Sequence, residues 1–275
     1  MLALLESIRR ACGYRLPPLG GLAFRTAFQI LPERANVELV PGIRADLDFR
    51  DETMRATYWQ GGRFEQPTAQ VLNDWALAGA TRFFDVGSNY GFFSYWLLSR
   101  APQIEVHAFE PNPTTFAKIA SIKDANSLGR LHPANIGLGD QRTRLSLHPG
   151  TADSGHSTFG AHPDLGGHSL GEIEVLPFDE WRREAGLSLP KQPQWIAKID
   201  VEGFETRVLR GMAEALQAKA FAGLVIEVNN FTLRFCGSSP AEVRGIMSDF
   251  GYIALPIGAS SGNEFFVPAS SLTRA

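Results

Sequence analysis

Two carboxylates stand where apolar runs give way to turns. Asp85 sits in Phe83-Phe84-Asp85-Val86, which passes into Gly87-Ser88-Asn89-Tyr90-Gly91; Glu110 closes His107-Ala108-Phe109 ahead of Pro111-Asn112-Pro113. Gly87 and Gly91 let a ligand approach the backbone and let the turn take dihedrals that side chains resist. A dinucleotide fingerprint needs glycine at 87, 89 and 92, but Asn89 and Phe92 occupy two of those positions. The pattern therefore suits a nucleoside cofactor without a pyrophosphate. An acid at the end of the second strand can accept both hydrogen bonds of a ribose diol. Asp85, at the first strand tip, suits a ligand ammonium, directly or through water. The competing reading of this pair is a structural glycine turn and an N-capping carboxylate. Asp140, after Gly139, either meets an adenine amino group or opens the following turn.

A second group lies downstream in Lys198-Ile199-Asp200-Val201-Glu202-Gly203-Phe204-Glu205. Lys198 and Asp200 share one face of a strand by the two-residue period. A buried lysine requires a partner, since an isolated charge is costly to desolvate. Glu227 ends the apolar run Gly223-Leu224-Val225-Ile226-Glu227. With Asp200 it offers oxygen ligands of the kind Mg²⁺ takes, although a metal is not the favoured reading; a polar strand end or a hydrogen bond to an acceptor serves equally. His156, in Ser154-Gly155-His156-Ser157-Thr158, is either a general base or a loop histidine like His148, His162 and His168. Trp59, Phe64 and Trp181 wall an acceptor pocket or fill core.

The elements that must position these groups read as alternating helices and strands. Strands are expected at Arg82–Gly87, Ile104–Glu110, Leu131–Asp140, Trp195–Asp200, Gly223–Asn229, Tyr252–Ile257 and Asn263–Pro268, with helices between them. Seven strands suit a doubly wound, mostly parallel α/β sheet whose last hairpin inserts one antiparallel strand. Arg142–Gly150 alternates like an edge strand, and residues 150–171 form a long Gly-, Ser-, His- and Pro-rich connection of the sort that carries function. Residues 1–60 read as an N-terminal extension, with a helix over about the first twelve and a β-hairpin around Pro41-Gly42; residues 61–275 read as the main domain. Composition supports one folded core: 275 residues, 44% hydrophobic and 20% charged. A net charge of -3 gives no basic field for nucleic acid. No apolar run spans a bilayer, and Cys12 and Cys236 lack metal or disulfide spacing. These features point to a cytoplasmic protein.

Asp-Val-Gly-Ser-Asn-x-Gly at 85–91, Phe-Glu-Pro-Asn-Pro at 109–113, Lys-Ile-Asp-Val-Glu-Gly-x-Glu at 198–205 and the upstream Gly62-Arg63-Phe64-Glu65 together resemble, in the same order, the signatures of FkbM-family methyltransferases. The resemblance covers roughly residues 60–255. It implies a class I methyltransferase (Rossmann-like) fold, S-adenosylmethionine as donor and a hydroxyl of a small molecule or glycan, such as a sugar or a polyketide-like alcohol, as acceptor. It also implies a cofactor site of Glu65, Asp85, Gly87, Ser88, Asn89, Gly91, Glu110 and Glu202, joined by Asp140 if that residue meets adenine. Catalysis would involve Lys198 and Asp200, with His156 and Glu227 as further candidates. Prior deprotonation of an alcohol by a free carboxylate would cost on the order of 16 kcal/mol. The proton must therefore leave as the methyl arrives, or a metal must polarise the hydroxyl. N-methylation and a non-catalytic S-adenosylmethionine-binding module are the alternatives; the first lacks an Asn/Asp-Pro-Pro-Phe/Tyr motif where Lys198–Gly203 stands. The N-terminal hairpin could serve a homodimer or close the site.

Overall fold

The structure, a computed structural model, describes residues 32–149, 157–160, 169–256 and 262–274. The expected N-terminal helix, Cys12, His156, His162 and His168 lie outside the described residues. Strands β1 (Arg34–Val40) and β2 (Ile43–Asp48) pair as the expected antiparallel hairpin. Its turn runs through Gly42 at φ 78°, in the left-handed region glycine tolerates. Helix α1 (Glu52–Gln60) is N-capped by Asp51, which accepts the Met54 N–H. A 3-10 turn over Gly61–Arg63 leads to α2 (Gln66–Leu77), which has Pro67 in its first turn.

The main alternation follows as β3 (Arg82–Val86), α3 (Phe92–Leu98), β4 (Glu105–Phe109), α4 (Pro113–Ala125) and β5 (Leu131–Ala134). Three strands then form a separate small sheet: β6 (Gly137–Gly139), β7 (Thr143–Ser146) and β8 (Glu172–Pro177), in the order β6-β8-β7. The chain continues through α5 (Phe178–Glu184), β9 (Trp195–Ile199), α6 (Glu205–Gly211), α7 (Ala213–Gln217), β10 (Phe221–Glu227), α8 (Asn230–Phe235), α9 (Pro240–Asp249), β11 (Tyr252–Ala254) and β12 (Asn263–Pro268).

The large sheet runs β11-β12-β10-β9-β3-β4-β5. Strands β3, β4, β5, β9 and β10 are parallel, and β12 is antiparallel to both β10 and β11. This is the doubly wound α/β arrangement of a class I methyltransferase, with the last hairpin inserting its antiparallel strand. Both faces of the central strands are apolar, as a sheet covered by helices requires. Phe83, Ile196 and Val225 pack into one core, and Phe84, Ala197, Leu224 and Ile226 into the other. The hairpin belongs to the first core: Val37, Leu39 and Leu47 are buried together with Phe83 and Phe92. The sheet order reverses between β3 and β9, so a crevice opens at the carboxyl ends of those strands.

The expected strand over residues 131–140 is two strands. It breaks at Asn135, whose amide donates to the carbonyls of Glu110 at 2.8 Å and Pro111 at 3.0 Å. Beyond it β6 pairs with β8 rather than continuing beside β4. The connection after β7 is closed at its base by Leu147 N–H to Gly171 O at 3.1 Å and Leu170 N–H to Leu147 O at 2.8 Å. Within it His148 and Thr158 exchange two backbone bonds, at 3.0 and 2.9 Å. Among the described residues no helix is long and apolar enough to cross a membrane.

Candidate active site

The turn after β3 is built on three left-handed residues, Gly87 at φ 78°, Asn89 at φ 50° and Gly91 at φ 92°. Its glycines serve the protein's own packing as well as the turn. A Cβ on Gly87 would stand 1.8 Å from the Asp200 carbonyl oxygen of the neighbouring strand end, and one on Gly91 2.9 Å from the Tyr95 ring. Ser88 ties the turn to β4, its N–H and hydroxyl both donating to Phe109 O at 3.0 and 3.3 Å.

Glu110 directly follows β4 and is 5% exposed. Its carboxylate accepts the N–H of Asn89 at 2.8 Å and of Asn112 at 2.9 Å, so it joins the two loops that flank the crevice. Burial raises it to about 7, even though both of those bonds favour the charged form. The crevice beside it is lined by Gly87, Asn89 and Glu110 at one wall, by Phe109, Ile136, Leu138 and Phe159 as apolar surface, and by Asp200 and Glu202 beyond. Asn89 Oδ1 is buried there without a hydrogen-bond partner. An orphaned acceptor and a buried carboxylate with spare lone pairs both call for hydroxyl or N–H donors from a ligand. A ribose diol and a flat base fit that lining.

The other expected contacts are distributed differently. Asp85 is 2% exposed, does not border the crevice, and accepts the Ser94 hydroxyl at 2.6 Å beneath the turn. Burial raises its carboxyl to about 6, against the Ser94 bond and the Lys198 charge. Asp140 is also outside the crevice and pairs with Arg207 at 3.5 Å, because β6 has left the large sheet and Ile136–Leu138 take its place in the lining. Trp59 is core, Phe64 packs edge-on to Phe92, and Trp181 packs against Phe84, His107 and Phe109.

At the end of β9, Lys198 is 4% exposed and its ammonium bonds Asp200 Oδ2 at 2.5 Å, which is the partner its burial requires. Burial works to discharge Lys198, but Asp200, Glu65 and Asp85 outweigh it and hold the ammonium above the usual lysine range. Glu65 precedes α2 in a left-handed conformation, φ 42°, and accepts Asn263 Nδ2 at 2.9 Å. Its carboxyl is raised, chiefly by burial. Asp200, Glu202 and Glu227 bring carboxylate oxygens within 4.8 Å of one another. Burial, then the charges of Asp200 and Glu202, push Glu227 well above the ordinary carboxylate range, and its Oε2 is buried without a partner.

Glu205, quoted in the sequence motif but assigned no task there, supports this group. It is fully buried, and its Oε1 accepts the N–H groups of Val201 at 3.1 Å and Gly203 at 3.2 Å. It thereby shapes the turn in which Glu202 takes φ 52° and Gly203 φ 103°. Ser157 and Phe159 also line the crevice, where Thr158 holds Glu202 O through its hydroxyl at 2.9 Å. Nothing in their local sequence marks them; only the return of the long connection over the strand ends does so.

A switch-point crevice with a buried carboxylate at the end of one strand and a lysine-aspartate pair on the next but one is an arrangement of the class I, nucleoside-dependent transferase kind. Residues 85–254 match the family model described as Methyltransferase FkbM domain. The chain belongs to the FkbM methyltransferase family. It is 30% identical over 166 residues to the hexuronic acid methyltransferase AglP of Haloferax volcanii, a match covering 60% of this chain and 61% of that protein. Over 154 residues it is 29% identical to the 31-O-demethyl-FK506 methyltransferase FkbM of Streptomyces tacrolimicus, covering 48% of this chain and 59% of that one. Against the 2-O-methyltransferase NoeI of Sinorhizobium fredii it is 25% identical over 154 residues, 50% of this chain and 59% of that protein. The chain thus spans about three-fifths of the length of the curated relatives it matches.

Proposed function

We propose that this chain is an S-adenosylmethionine-dependent O-methyltransferase acting on a hydroxyl of a small molecule or glycan. The observation that carries the reading is the buried Glu110 carboxylate facing the same crevice as the Asp200 end of β9. The names of the relatives, a hexuronic acid methyltransferase, a 31-O-demethyl-FK506 methyltransferase and a 2-O-methyltransferase, support a hydroxyl of a sugar or other small-molecule alcohol as acceptor. Residues 61–275 carry the transferase domain in this reading, which operates in the cytoplasm and on a substrate other than nucleic acid.

S-adenosylmethionine, when bound, supplies an activated sulfonium methyl. Glu110 takes the ribose diol, Asn89 Oδ1 a further donor, and Phe109, Ile136, Leu138 and Phe159 exclude water around the base. Asp85, beneath the turn, and Glu65 add negative charge that suits the cationic end of the donor. The acceptor oxygen must be held in line with the methyl, and orientation of this kind provides much of the rate. Asp200 lies at the crevice wall with one oxygen on Lys198 and the other available to an acceptor hydroxyl. It receives the proton at Oδ1 as the methyl transfers, while Lys198 stays charged and fixes the carboxylate. Glu227, held protonated chiefly by its burial and then by the charges of Asp200 and Glu202, donates to the acceptor or to Asp200. In this reading Lys198 is the resident cation of the acidic group, and turnover proceeds without Mg²⁺ in the presence of a chelator.

Incubation with methyl-labelled donor and a panel of sugars and polyketide-like alcohols tests the assignment. Label transferred to oxygen is the expected result. Label on nitrogen would move the chain to the N-methyl class, and donor binding without transfer to any member of the panel would favour a binding module.

A further inference from the structure

The glycine turn is fastened from a direction its motif does not suggest. Tyr90, between Asn89 and Gly91, is 1% exposed and buries its ring in the core that contains Leu47, Phe49, Met54 and Tyr58 of the N-terminal segment. Its hydroxyl meets the hydroxyl of Thr57, on α1, in a short hydrogen bond. Thr57 is fully buried and has one hydroxyl proton, which lies within reach of Thr53 O at 2.8 Å and Met54 O at 3.1 Å. With that proton committed to its own helix, the Thr57 oxygen is left as an acceptor, so the Tyr90 O–H donates.

The neighbours of Tyr90 make this bond matter. Asn89 donates its N–H to Glu110 at 2.8 Å and carries the orphaned Oδ1, while Gly91 N–H closes the turn on Ser88 O at 2.8 Å. The turn is tied to the end of β4 through Ser88 and Asn89, and Tyr90 adds the tie that fastens the left-handed backbone of Asn89 and Gly91 to the N-terminal segment. The same N-terminal segment is tied to the far end of α4, where Asn126 accepts the Arg44 N–H at 2.8 Å and donates to Arg44 O at 2.7 Å.

We propose that Thr57 is a positioning residue of the donor site, holding Tyr90 and through it the conformation of Asn89 that a nucleoside donor needs. The N-terminal hairpin and α1 are then a working part of the cofactor site. The inference rests on the reading of the crevice as the donor site. It turns on conformational population: a ligand that binds one conformer loses apparent affinity in proportion to how rarely that conformer is populated.

The test uses the full chain and S-adenosylhomocysteine, with calorimetric affinity beside steady-state kinetics. Thr57→Val and Tyr90→Phe are expected to weaken binding about fivefold, the factor a single buried hydrogen bond supports, and to raise the donor KM while leaving kcat unchanged. Thr57→Ser keeps the hydroxyl and should retain wild-type affinity. Tyr252→Phe removes another buried hydroxyl, which bonds Phe221 O at 3.4 Å, at the far edge of the sheet; it should leave donor KM unchanged. Wild-type affinity in both Thr57→Val and Tyr90→Phe overturns the inference and leaves the donor site standing. Equal loss in Thr57→Ser or Tyr252→Phe reduces the contact to general stability and overturns it too. A wild-type chain that does not bind S-adenosylhomocysteine removes the donor site itself, and the inference with it.

Discussion

Replacing Glu110 by Gln asks whether the crevice is a nucleoside site. The carboxylate already accepts two backbone N–H bonds, from Asn89 at 2.8 Å and Asn112 at 2.9 Å. An ionised carboxylate has about four acceptor positions, so roughly two remain for a ribose diol. A glutamine amide offers one oxygen, and its NH₂ must face one of the two backbone donors. Two charge-assisted bonds at roughly 1.5 kcal/mol each give about 3 kcal/mol, or about 150-fold in affinity for S-adenosylhomocysteine. The pH dependence has a definite sign. Burial raises the carboxyl to about 7, so its contribution to folding is present at low pH and lost as pH rises through that value. Donor binding runs the opposite way, because the diol bonds the ionised form. Wild-type affinity should therefore be about tenfold weaker one pH unit below 7 than well above it. In Glu110→Gln that dependence should vanish. Calorimetry at pH ~6 and ~8 on both proteins decides the matter: a Gln variant within about threefold of wild type, or a wild-type affinity flat in pH, refutes the reasoning.

Three further perturbations address other parts of the site. Asp200→Asn keeps the volume but removes the proton acceptor, so turnover should fall by about 10²-fold or more with donor affinity nearly unchanged; single-turnover kinetics would expose a variant with full activity. Glu205→Gln bears on stability, since burial raises this carboxyl from 4.5 to about 7. Relative to Gln, the wild type is at its best below pH about 4.5 and loses roughly 3 kcal/mol as pH rises through about 7; denaturant titrations showing a pH-independent difference would contradict that. Gly87→Ala puts a methyl 1.8 Å from Asp200 O at a φ of 78°, and a destabilisation above about 3 kcal/mol is expected. A thermal midpoint equal to wild type would show that β9 can move aside.

The central strands were readable because their signal is local. Phe83–Val86 and Trp195–Ile199 are buried on both faces, mostly through apolar side chains, and each leads into a turn with glycine. Glu110 was readable for the same reason. Residues 131–140 were not, because no turn signal marks the break at Asn135, which depends on that residue finding the Glu110 and Pro111 carbonyls. That tertiary bond also decides the fate of Asp140. The strand Glu172–Pro177 has a local signal in the alternation Glu172-Ile173-Glu174-Val175, but its place between β6 and β7 is decided by tertiary pairing that the sequence does not display. Asp85 illustrates a different limit: its position at a strand tip was evident, but the direction of its carboxylate is set by Ser94, one helical turn into α3. Thr57 carries no motif at all.

The stapled base of the connection after β7 has a consequence for how such a protein can diversify. Leu147, Leu170 and Gly171 hold the two ends together by backbone bonds that any residues could make. Entropy charges little for extending a closed loop, about 0.6 kcal/mol per doubling of length. Stretches between these anchors, other than Ser157–Phe159 at the crevice, can therefore be lengthened, shortened or exchanged with the register of every strand preserved, which makes this segment a natural place to vary what the crevice recognises.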